Sequence, residues 1–176
     1  MKINNAHQLI DLYHTEKYLF DVVGPQIKKR GFLTFENFYK IGMWKSARQK
    51  QNYIQNKDIV EEVTRLAFCE KDEQKKIKIL CKLKGVGIPT ASAILTIVDP
   101  NKYAIIDIRC LQALRRILHV KISERVSLST WVTYLSVMRN LAEENKMTPR
   151  ELDMALFAMH RETLDGDGFR NLYQNL

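Results

Sequence analysis

The segment Leu83-Lys84-Gly85-Val86-Gly87-Ile88-Pro89-Thr90-Ala91 constrains the fold more than any other part of the chain. Two glycines separated by one apolar residue stand between a lysine-rich stretch and the apolar run SAILTIVDP. The first glycine can take the positive φ that ends a helix, so a helix end is expected at Gly85. The second leaves a backbone surface with no side chain over it. Pro89 suits the first turn of a new helix, whose apolar face carries Ala91, Ile94, Leu95 and Val98. Such a junction brings free backbone N–H groups to a helix start, where hydrogen bonds and the helix dipole attract a phosphate oxygen. No side chain reads a base there, so the contact would be blind to sequence. A plain turn between two helices would also accommodate Gly-Val-Gly, and the glycines alone do not separate the two readings.

The rest of the chain is patterned for helices, and the expected class is all-α. Leu9, Leu12 and Tyr13 share a face of a first helix after Asn4 or Asn5. Gly24-Pro25 is expected to break or kink the segment that follows. Lys28-Lys29-Arg30-Gly31 reads as a basic helix end with a glycine stop. Thr34 suits an N-cap for a helix through Phe38, Ile41 and Trp44. Residues 45–57 are polar and basic, and a loop is expected there. Ile59, Val60, Val63, Leu66 and Ala67 repeat at helical spacing, as do Ile77, Leu80 and Leu83. Thr148-Pro149-Arg150-Glu151 is a helix start, with Thr as N-cap and Glu three residues later. The only strand-like stretch, Tyr103-Ala104-Ile105-Ile106, is too short to build a sheet alone.

Composition excludes several function classes. No apolar run approaches the ~20 residues of a membrane span. The start lacks the apolar core of a signal peptide, and the cysteine usage points to a reducing cytoplasm as the expected compartment. Three cysteines, Cys69, Cys81 and Cys110, show no paired spacing, so neither a disulfide framework nor a cysteine-based metal site is expected. His7, His14, His119 and His160 show no ligand spacing and read as structural or solvated. Asp165-Gly-Asp167-Gly lacks the rest of a calcium loop and reads as a turn.

Charge points toward a polyanion. The chain carries a formal +8, and the surplus is uneven. Residues 28–57 hold eight Lys or Arg against one acid, 71–84 six against two, and 109–125 five against one. Residues 141–168 reverse the balance, with three basic side chains and seven acidic. A basic middle could present one face to phosphates, although solvated helix faces would give the same counts.

Asp107 follows Tyr103-Ala-Ile-Ile and precedes an expected helix carrying Leu111, Leu114 and Ile117. A helix N-cap is the simple role for an Asp in this position, and the cap would also orient the carboxylate for chemistry.

Together the Gly-Val-Gly hairpin and the Ile-Asp lying 22 residues beyond Gly85 resemble the helix-hairpin-helix DNA glycosylases, the superfamily of endonuclease III and adenine glycosylase. The likeness is best over 83–115 and looser from Trp44 to Leu152. It implies an all-helical, two-lobed fold with a DNA cleft between the lobes. One lobe would comprise roughly 1–30 with 126–176, the other roughly 31–125 with the hairpin at 83–91. It implies a monomer that binds double-stranded DNA at Lys84, Gly85, Val86, Gly87 and Thr90, with Arg48, Gln49 and Arg109 as further contacts. Arg48, Gln49 and Gln51 fall where relatives fill the gap left by a flipped base. Asp107 would stabilise positive charge on the sugar of a nucleotide flipped out of the duplex. A sodium or potassium ion could sit on the Leu83 and Val86 carbonyls, with no other cofactor required.

This sequence departs from the family's pattern in three ways. Pro89 occupies the position of the lysine that bifunctional members use, which implies a glycosylase without lyase activity unless Lys45 or Lys84 reaches the pocket. The four-cysteine cluster is missing, so no iron–sulfur centre is expected. The stretch from Trp44 to Gly85 is short for the superfamily. Trp44, Tyr53 and Trp131 are candidates to stack on a base, or else core residues. The competing functions are a catalytically silent helix-hairpin-helix module in repair or genome defence and, against the basic charge, a helical protein–protein adaptor.

Overall fold

The computed structural model describes residues 14–163. The expected first helix at Leu9, Leu12 and Tyr13, His7 and the Asp165-to-Asp167 turn lie outside the described residues. Among the described residues the regular structure is helical, with no strand, and no helix is long and apolar enough to cross a membrane. The helices are α1 (Gly24–Arg30), α2 (Phe35–Ser46), α3 (Lys50–Ile54), α4 (Val60–Cys69), α5 (Glu73–Leu80), α6 (Ile88–Val98), α7 (Ile108–Gln112), α8 (Leu128–Glu144) and α9 (Pro149–Thr163). Contacts group the chain into two compact units divided between Asp99 and Pro100.

In the first unit α6 is the central element. It packs against α1, α2 and α5, and its residues from Thr90 to Ile97 are all buried. Gly24 permits the closest of these approaches, because a Cβ there would lie 2.1 Å from the Ile97 carbonyl oxygen. Gly24-Pro25 does not end the helix. A π-turn, Leu19–Val23, runs directly into α1 with helical backbone throughout, and Pro25 stands in the first turn of α1, where proline is tolerated. Gly31 closes α1 in the left-handed region and Thr34 caps α2, both as the sequence predicts.

Residues 45–57 are not the loop that their polarity suggests. Ala47–Gln49 form a 3-10 turn and Lys50–Ile54 a helix. The cause is Tyr53, which is fully buried with its ring edge-on to Phe38 at 5.6 Å. One large anchored side chain outweighs the polar composition around it.

In the second unit α9 packs on α7 and α8 around Leu111, Leu114, Trp131, Tyr134, Met138, Leu152 and Leu156. The strand-like residues 103–106 form no ladder, yet all four are buried. Side chains replace a partner strand there. The Tyr134 hydroxyl donates to the Ile105 carbonyl at 2.9 Å, and the Asp153 carboxylate accepts the Ile105 N–H at 2.7 Å. Burial pushes the Tyr134 phenol well above its ordinary range, and the nearby Cys110, Asp153 and Asp107 add to the shift, so it stays protonated and donates. Asp153 is itself buried and ion-paired with Arg150.

Candidate functional site

The hairpin between α5 and α6 is shaped by a residue that the sequence did not draw attention to. Asn56 is fully buried. Its side-chain oxygen accepts the Lys84 N–H at 2.7 Å, and its amide nitrogen donates to the Lys84 carbonyl at 3.0 Å. The same nitrogen reaches the carbonyls of Asn52 and Tyr53. Both main-chain groups of the residue before Gly85 are therefore held by one amide. Helix α5 ends at Leu80 and not at Gly85: the Lys82 and Leu83 N–H groups turn to the carbonyls of Ile79 and Leu80, three residues back, and the Lys84 N–H is bonded to Asn56. Gly85 follows at φ +81°, where a Cβ would meet the Asn52 Cβ at 2.9 Å and the Tyr53 ring at 3.1 Å.

Gly87 is the N-cap of α6 and offers no side-chain cap, with Pro89 in the first turn. A Cβ at Gly87 would meet only the Pro89 ring, at 3.8 Å. The start of an eleven-residue helix is thus approached over bare backbone, and first-turn N–H groups have no intrahelical acceptor. Lys84 is exposed, with its ammonium on Gln55 Oε1 at 2.7 Å. Thr90 and Val86 are buried, so their side chains serve packing and any DNA contact from them would come through backbone. The Leu83 carbonyl accepts the Val86 N–H at 3.1 Å, which leaves that oxygen a second lone pair for a cation. Among the described residues no group of His, Cys, Asp and Glu is arranged to hold a metal ion.

Asp107 caps α7 as its position suggests. Its backbone is extended, and its carboxylate accepts the Arg109 N–H at 2.9 Å. The side chain is half-buried. It emerges from the segment that Tyr134 and Asp153 pin two residues earlier, so the carboxylate is held from both sides. Arg109 is half-buried with its guanidinium 5.2 Å from the centre of the Phe157 ring.

The other candidates are distributed more widely. Lys45 is half-buried in the last turn of α2, in the first unit. Arg48 is exposed and Gln49 half-buried in the 3-10 turn, and Gln49 accepts a hydrogen bond from Asn52 at 2.7 Å. Tyr53 and Trp131 are fully buried and belong to the core, not to a stacking surface. Trp44 is half-buried against Phe20, edge-on at 6.1 Å. His160 is buried with its ring nitrogen 2.7 Å from Gln112. The hairpin lies in the first unit and Asp107 in the second. Comparison with protein-family models, curated proteins and solved structures gives no match.

Proposed function

We propose that the protein is a monofunctional DNA glycosylase that releases a damaged, mispaired or modified base and leaves an abasic site. One observation carries the reading: a bare-backbone helix start, built on Gly85 and Gly87, precedes by 22 residues a carboxylate fixed at a second helix start. The two-lobed arrangement and its cleft belong to the same proposal and rest on the motif resemblance.

In this reading first-turn N–H groups of α6 and the Lys84 ammonium hold the duplex by its phosphates. Asp107 stabilises the cation that develops on the sugar as the C1′–N bond breaks. The base leaves with the bonding electrons and takes up a proton, while water supplies the oxygen that bonds to C1′. A monovalent cation on the Leu83 and Val86 carbonyls would add positive charge beside the bound phosphate. Pro89 offers no amine, so no imine forms and the strand stays intact.

The test is a screen of the purified chain against duplexes carrying different lesions, with alkali or heat to reveal abasic sites. Base release that is lost in Asp107→Asn, with duplex affinity kept or increased, is the expected result. The loss should span several powers of ten, at about 1.4 kcal/mol per tenfold. Borohydride should trap no covalent complex. Trapping that Lys45→Ala abolishes would instead assign a lyase step to Lys45. Duplex binding without base release on any lesion, unchanged in Asp107→Asn, would favour the non-catalytic module, for which the hairpin alone suffices.

A further inference from the structure

In the segment that follows α7 the second unit carries a groove that the proposed reaction does not use. It measures about 550 Å³ and is lined by Arg115, His119, Val120, Lys121, Ile122 and Ser123. That volume lies within the range of small-molecule sites. The lining includes two cationic side chains and an imidazole, and no acid.

Arg115 is prepared for an oxyanion. One terminal nitrogen donates to the Ile122 carbonyl at 2.9 Å, and Nε lies 3.7 Å from Glu124. The guanidinium is thereby held while its side chain stays 57% exposed, leaving further N–H donors for a ligand. Glu124 is shared between Arg115 and the Arg116 guanidinium, which its two oxygens take at 2.8 Å and 2.5 Å, so one carboxylate faces two guanidiniums and the positive surplus remains. Two backbone features adjoin these side chains. Ala113–Ile117 form a π-turn, a form that recurs at functional sites. His119 has φ +55°, a conformation that costs a residue with a Cβ and that glycine would adopt freely. The helix end accounts for that conformation, because His119 follows the C-cap Leu118 and the Val120 N–H bonds to the Leu114 carbonyl at 2.8 Å, and this turn sets an exposed imidazole on the wall of the cationic groove.

We propose that this groove binds a phosphate group, with Arg115 as the fixed anchor and His119 and Lys121 as the other donors. The phosphate comes from a soluble phosphate ester or from a nucleic-acid backbone, and the inference does not rest on the glycosylase reading. The experiment follows backbone amide resonances of the full chain during three titrations: inorganic phosphate, a 5′-mononucleotide, and a duplex without terminal phosphates. Saturable shifts across residues 115–123, separate from any at the hairpin, are expected with at least one probe. A response to the duplex alone assigns the backbone as the source, and a response to the small probes alone assigns a free ligand. Arg115→Gln should weaken binding about tenfold, as should His119→Gly. His119→Gly should at the same time raise the unfolding midpoint by relieving the backbone, which keeps the test sound if Arg115→Gln perturbs the loop. No shift with any probe, or His119→Gly titrating like the wild type, would overturn the proposal.

Discussion

A single buried amide decides the form of the hairpin. Asn56→Ala would strand the Lys84 N–H and carbonyl, each at a cost of about 1–3 kcal/mol if left unsatisfied. A clearly lowered stability in denaturant titration is therefore expected, together with weaker duplex binding, because the hairpin loses its register. The two glycines should separate under substitution. Gly85→Ala forces a side chain into positive φ and against Asn52 and Tyr53, and should lose about 1–3 kcal/mol in the same titration. Gly87→Ala has room and ordinary backbone, and should stay within about 0.5 kcal/mol of the parent. A bulky residue at Gly87 should fold equally well yet bind every duplex less tightly, measured by fluorescence anisotropy. If Gly87→Leu binds as the parent does, phosphate does not approach over Gly87.

At the scale of the element, the start of α9 lends itself to a pH test. Thr148 Oγ1 accepts the Glu151 N–H at 3.1 Å, and the Glu151 carboxylate accepts the Thr148 N–H at 2.7 Å. These hydrogen bonds to Thr148 hold the Glu151 carboxyl below its ordinary value of 4.5. A lowered folded-state pKa gives stability that is present above the unfolded value and lost as pH falls through the folded one. Helix α9 should therefore loosen at its start as pH drops below 4.5, visible as faster amide exchange near Thr148 relative to the α8 core. Glu151→Gln should remove that pH dependence, whereas Thr148→Ala, which keeps the backbone N–H and loses only the hydroxyl, should weaken it and cost about 1 kcal/mol at neutral pH. At the start of α8, Ser127 caps in the same way by accepting the Thr130 N–H at 3.1 Å, but with no titrating partner in the cap. Ser127→Ala should thus lose stability without acquiring a pH dependence.

For the whole molecule, the quantity to measure is the response of binding to salt. A chain with formal charge +8 that neutralises phosphates releases counterions. Duplex affinity should fall linearly with salt on a double-logarithmic plot and differ little between sequences. Lys84→Ala should reduce the slope by about 1 if its ammonium meets a phosphate, as the contact model requires. Salt-independent affinity would remove the phosphate contacts from the account.

The sequence by itself determined the helical class, the glycine stop at Gly31, the caps at Thr34, Asp107 and Thr148, and the two-glycine junction before α6. These are local: each depends on backbone preference and hydrogen bonds within about four residues, and residue types report them directly. Tertiary structure decided the rest. The segment 45–57 looked like loop because its one anchor, Tyr53, is outnumbered by polar neighbours, and only burial against Phe38 and the hairpin makes it helical. The chain past Leu80 turns through short-range hydrogen bonds, and its Lys84 backbone is captured by Asn56, 28 residues away. Ile105 kept its extended form without a strand because Tyr134 and Asp153 arrive from two later helices. Hydrogen bonds over such separations depend on how elements pack, and no spacing along the chain encodes them.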